Sequence, residues 1–132
     1  MTNTYVLNAN DFSNLIEFYD LIGELLLPDE FWGKNLDALN DILSGGFNIP
    51  DSPFEIVWEN IEKSKNDLGA RETIIWYEAK LFTQEDNRQY IRNQIAELRS
   101  HKGDTLFDFI YDVLSENSSE ILVEPNRATF KM

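Results

Sequence analysis

The chain has 132 residues, 42% hydrophobic and 13% aromatic, which suits one domain with its own core and argues against disorder. It has no cysteine, which excludes a disulfide framework and a thiolate metal site and fits a reducing compartment. A formal net charge of −13 opposes binding to nucleic acid, whose phosphates demand basic surface, and favours a basic partner.

Met1-Thr2-Asn3-Thr4 lacks a basic region followed by an apolar core, so no signal peptide is expected. No apolar run approaches the roughly 18 residues of a membrane span, so the expected location is the cytoplasm. Thr4-Tyr5-Val6-Leu7 is β-prone and predicts a first strand. From about Asn14 to Leu26, Leu15, Phe18, Tyr19, Ile22, Leu25 and Leu26 recur at helical spacing. Ser13 or Asn14 can cap this helix, Asn14 and Glu17 have the spacing of a capping pair, and Pro28 ends it.

The stretch from Leu27 to Gly46 then reads as loop, cap, short helix and glycine stop. Asn35 is a favoured N-cap, and Gly45 and Gly46 suit a left-handed termination. Leu36, Leu39 and Leu43, widened by Ala38 and Ile42, predict the buried stripe. Asp37, Asn40, Asp41 and Ser44 share the opposite face. Asp37 and Asp41 are like charges one turn apart, at a cost of roughly 0.2–0.5 kcal/mol in an isolated helix. Such a face is either simply solvated or a plug for a cationic pocket on another protein.

Phe54-Glu55-Ile56-Val57-Trp58 predicts a second strand and Ile61 to Lys65 a short helix. Thr73-Ile74-Ile75-Trp76-Tyr77 fits a strand or the start of a helix, and periodicity does not decide. Gln84 to Ser100 reads as a helix with Tyr90, Ile91, Ile95 and Leu98 on one side. Leu106, Phe107, Phe109, Ile110, Val113 and Leu114 form a last helical stripe, and Glu120 to Glu124 a strand stopped by Pro125. Strands separated by helices favour a parallel sheet with helices packed on it.

Leu27-Pro28, Phe31-Trp32-Gly33, Asn35-Leu36-Asp37-Ala38-Leu39, Asp41, Leu43 and Gly45 together resemble the signature of the barstar family, intracellular inhibitors of secreted ribonucleases. The likeness continues through Pro53 to Trp58 and Ile61 to Lys65 and returns at Gly103 to Phe107. It implies a single domain over residues 1–132 with a small three-stranded parallel sheet and helices. Residues 70–102 have no counterpart in it and are expected to be an inserted, mainly helical segment packed on the domain. They carry six Lys or Arg against five acids, so the acidity belongs to the rest of the chain.

The resemblance also implies a function without catalysis: an inhibitor that occludes the cationic active site of a basic ribonuclease toxin, with no cofactor or metal and as a monomer. Asp41 matches the central acid that engages the catalytic site, Asp37 the second helix acid, and Asn35 and Leu36 contact residues at the helix start. Phe31 stands where a contacting tyrosine is common and keeps the ring without the hydroxyl. Gly45 matches a glycine that permits close approach. Asp104 stands at the place of an outlying acid before the last helix. Asn40 and Gly46 replace tryptophans of the best-known member, which argues for a different cognate toxin or a looser fit. Ser44 completes the expected face.

Other classes compete. One is a protein-interaction or adaptor domain on the same fold, and another an acidic mimic of nucleic acid. A small enzyme would need a site, yet His101, the one histidine, lies in a polar stretch without an Asp/Glu-x-x-His arrangement. Asp37 and Asp41 as an acid–base pair or hard-metal ligands would lie on an open face rather than in a pocket.

Overall fold

The computed structural model describes residues 2–45, 49–51 and 53–132. Three of its α-helices start where local side chains satisfy their orphan amides. Asn14 caps α1 (Leu15–Leu26), its Oδ1 accepting from Glu17 N at 2.9 Å, while Glu17 Oε1 accepts from Ser13 N. Asn35 caps α2 (Leu36–Leu43) in the same way through Ala38 N at 2.8 Å. α3 (Ile61–Asp67), α4 (Ala70–Lys80) and α5 (Arg88–Arg99) follow, and Thr105 with Asp108 forms a reciprocal capping box at α6 (Leu106–Glu116).

The sheet corrects the expectation of three parallel strands. β1 (Asn3–Asn8) pairs parallel with β2 (Phe54–Glu59), as two strands joined through helices should. β3 (Glu120–Glu124) does not reach β2. The chain turns back at Pro125-Asn126 into β4 (Arg127–Lys131), which lies between β2 and β3, antiparallel to both. The result is a four-stranded mixed sheet in the order β1-β2-β4-β3. Pro125 ends one strand and Asn126, at φ 57°, starts the next, the residue pattern of a type II turn. Asn126 also docks the turn on α3: its side-chain and main-chain oxygens accept from Glu62 N and Ile61 N.

Strand register sets the layers. Tyr5, Ile56, Phe130 and Ile121 form one row across the sheet, and Leu7, Trp58 and Ala128 belong to the next. These residues pack into the core shared with α1 and α6. Trp58 is fully buried there, near-stacked on Phe18 and tilted on Phe107, with its Nε1 donating to Ser64 Oγ of α3 at 3.1 Å. The opposite face carries Val6, Val57, Thr129 and Leu122 between charged rows, where Lys131 pairs with Glu120 and Arg127 with Glu124.

Residues 73–77 are helical, inside α4. Thr73 and Tyr77 are buried and Ile75 is exposed, so the β-branched run is not a strand. Tyr77 joins Ile91, Ile95 and Leu98 of α5 in a second small core. Tyr90, expected on that face, points outward. Thr73 ties the segment to the domain. Its fully buried Oγ1 donates to Gly69 O and accepts from Leu106 N, both at 2.8 Å. Leu106 N–H is a first-turn donor of α6 that has no partner inside its own helix.

Thr73→Val keeps the shape and strands that donor. We expect a loss of about 1–3 kcal/mol in urea unfolding, while Thr83→Val, at an exposed site, should stay within about 0.5 kcal/mol of the parent. Equal effects for the two would refute the role given to Thr73.

Candidate functional site

The loop before α2 divides two adjacent aromatics. Trp32 is buried edge-on against Tyr19 of α1, ring centroids 5.6 Å apart. It lies so close to α1 that a Cβ on Gly23 would sit 2.7 Å from its Nε1. Phe31 next to it is 97% exposed. A phenyl ring so fully solvated adds no packing to the domain. Lys34, at φ 48°, pairs with Asp20 at 2.9 Å and fixes the loop to α1 just ahead of the Asn35 cap.

α2 presents its acids outward. Leu39 is buried, and Leu36, Ala38, Ile42 and Leu43 pack against the main core. Asp37, Asp41 and Ser44 are exposed. Ser44 Oγ donates to Asn40 O, and Gly45, at φ 140°, has open space where a side chain would stand. Among the described residues, no ion pair neutralises Asp37 or Asp41. Burial pushes the Tyr19 hydroxyl up to about 12, and the Asp37 charge adds to the shift. Leu36 faces α6, beside Phe109 and Val113.

Not every expected contact residue is free to serve. Asn35 spends its side chain on the cap and on Gly33 O. Asn40 is half-buried at the edge of the acidic face, its Oδ1 accepting from Asn117 Nδ2 at 2.9 Å just past the end of α6. Asp104 is exposed at the other end of α6, roughly 15–20 Å from Asn117 along a helix of this length. Its charge acts on Tyr77, whose hydroxyl is pushed up to about 12, first by burial, then by Tyr90 and by Asp104. The structure thus places Asp37, Asp41, Ser44 and Gly45 on α2 and its C-terminal end, with Phe31 exposed in the loop before it, and leaves Asp104 apart. Gly46 lies outside the described residues.

One feature beside α2 escaped the motif reading. Leu36 borders a groove of about 680 Å3 between α2, α4, α5 and α6. Across it, Lys80 Nζ sits 4.3 Å from the centre of the Trp76 ring. The sequence signal was the i,i+4 spacing of Trp76 and Lys80 on a helix.

Among the described residues, no group of three or more His, Cys, Asp or Glu is placed to hold a metal ion, and no helix is long and apolar enough to cross a membrane. The exposed carboxylates of Asp37 and Asp41 are suited to charge-assisted hydrogen bonds with a cationic group.

Residues 2–92 match the family described as Barstar (barnase inhibitor). The match runs through α4 into α5, a stretch the motif resemblance leaves without a counterpart, and stops short of Asp104. A curated protein of Bacillus subtilis (strain 168), named "Putative ribonuclease inhibitor YrdF", is 32% identical over 65 residues, covering 49% of this chain and 68% of that protein. No solved structure matches. The chain belongs to the Barstar family, a family of ribonuclease inhibitors rather than enzymes.

Proposed function

We propose that this chain inhibits a basic ribonuclease toxin by laying the acidic face of α2 over its cationic active site. The observation that carries the reading is the exposed, uncompensated pair Asp37 and Asp41 on a helix whose start is fixed by the Asn35 cap. A ribonuclease must present cationic groups to bind phosphate and stabilise transition-state charge. A carboxylate at the phosphate position makes charge-assisted hydrogen bonds there and blocks substrate.

Asp41 takes the central role, Asp37 flanks it, and Phe31 supplies apolar contact at the rim. Gly45 allows close approach of backbone to backbone. α2 holds its acids in place before the encounter, so little ordering cost remains. Acting in the cytoplasm, such a protein would guard the cell that makes or receives the toxin. The family membership and the name of the Bacillus relative support the partner class. An adaptor role has no observation in its favour beyond the same exposed surface.

The test is inhibition of a panel of basic ribonucleases, barnase included, read with a fluorogenic RNA. At micromolar chain at least one should lose activity, and failure across the panel overturns the reading. Against the inhibited enzyme, Asp41→Ala should weaken binding most, by about 2–5 kcal/mol, a range drawn partly from complexes of this family. Asp37→Ala should weaken it less, and the exposed Asp29→Ala and Asp51→Ala should be nearly silent. An Asp41 that behaves like Asp51 removes α2 from the interface.

A charge of −13 also predicts steering. Stopped-flow association should slow by about tenfold or more as salt rises from low to molar concentration. A flat dependence would assign binding to apolar contact instead.

A further inference from the structure

β3 stands at the edge of the sheet and, among the described residues, pairs on one side only. The direction of its free groups follows from β4. Met132 N donates to Phe54 O, in register with the β2–β4 ladder. Main-chain groups alternate sides along a strand, so the even-numbered residues of β4 bond to β2 and the odd-numbered ones to β3. Glu120, Leu122 and Glu124, opposite Lys131, Thr129 and Arg127, are therefore bonded inward. Ile121 and Val123 direct their N–H and C=O groups away from the sheet.

The side chains of this edge are ordered by charge. The strand reads Glu120-Ile121-Leu122-Val123-Glu124, an apolar triplet between two acids. Leu122 is 41% and Val123 72% exposed. A bare apolar edge is a template for one more strand. On the core side of the sheet Val123 borders a recess of about 350 Å3 whose walls include Phe107, Tyr111 and Ala128. Glu120 pairs with Lys131 at 3.4 Å and Glu124 with Arg127 at 3.2 Å, yet both acids stay exposed. A carboxylate with one donor in place has room for others. A second copy of this chain fits poorly. Antiparallel pairing about Leu122 would set Glu120 opposite Glu124 of the other copy, and like charges directly opposite are destabilising.

We propose that the free edge of β3 binds an extended segment of another protein by strand addition, the segment carrying a Lys or Arg at each end of a β-branched triplet. Its antiparallel main chain bonds to Ile121 and Val123. Its two cations meet Glu120 and Glu124 on the outer face of the sheet. The side chains opposite Ile121 and Val123 turn to the other face, where they cover Val123 beside the recess. β3 and β4 lie beyond residue 92, where the family match ends, so this surface belongs to the part of the chain outside that match. The proposal does not depend on the role given to α2.

The probe is the blocked peptide Ser-Lys-Val-Thr-Val-Lys-Ser, titrated into the full chain at about 0.15 M salt to screen bulk attraction. Amide hydrogen exchange read by NMR locates it. In the free chain the Ile121 and Val123 amides should exchange about tenfold faster or more than that of Leu122, and saturating peptide should remove the difference. Methylating the two valine nitrogens of the peptide blocks the donors that face β3 and should weaken binding about tenfold. Glu120→Lys/Glu124→Lys should weaken it about as much. Glu24→Lys/Glu78→Lys, the same charge change at exposed sites on α1 and α4, should have a much smaller effect. Equal binding by the methylated peptide, or equal losses in the two double variants, would mean charge attraction alone and overturns the proposal. So does a peptide that leaves the Ile121 and Val123 amides unprotected, or a chain that sediments as a dimer with those amides already protected. If Glu120→Lys/Glu124→Lys melts well below the parent, the methylated peptide on the parent chain decides.

Discussion

The burial of Trp58 is the contact on which the rest of the molecule depends. It sits on the central strand with no exposed surface, faces Phe18 of α1 on one side and Phe107 of α6 on the other, and satisfies its one donor on Ser64 of α3. Three helices are thereby referred to a single side chain. A large aromatic in such a position contributes through area, packing and a satisfied polar edge at once. Because Trp58 fixes α1, it also fixes Tyr19 and, through Tyr19, the indole of Trp32. The loop that throws Phe31 outward and delivers Asn35 to its cap is the next link in that chain of contacts.

α2 is a compromise between stability and readiness. Like charges on one exposed face cost the helix a little, and no neighbouring cation relieves them among the described residues. The helix tolerates this because its other side is packed by Leu36, Leu39, Ile42 and Leu43, and because Asn35 secures the first turn. Carboxylates left without internal partners are carboxylates available to an outside cation. By contrast the half-buried Lys80 has a partner within the domain, its ammonium held 4.3 Å from the Trp76 ring.

What the sequence revealed follows the range of the forces involved. The caps at Asn14 and Asn35 were legible because a side chain and the amide three residues on decide them locally. The acidic face of α2 was legible because its burial pattern has one clear period. α4 was ambiguous because both of its sides carry apolar residues: Tyr77 enters a core while Ile75 faces solvent. β4 was missed because five residues after a proline gain meaning only from distant partners, Ile56 opposite Phe130 and Trp58 opposite Ala128. Asp104 shares a residue type with the acids of α2 but is separated from them by the length of α6, a separation that motif spacing does not show.

The place of β4 has a consequence for the order in which this chain acquires its shape. β2 bonds to β1 on one edge and to β4 on the other. Until residues 127–131 have left the ribosome, the second edge of β2 carries unpaired amides and carbonyls beside the most apolar strand in the molecule. The nascent chain therefore holds an aggregation-prone edge from the emergence of β2 until β4 follows about 70 residues later, at about 5–20 residues per second. Helices can form and α1 can settle on β1 and β2, but closure of the sheet waits for the last turn at Pro125-Asn126. The strand that closes the sheet is thus also the one that sets when the support beneath α1 is complete.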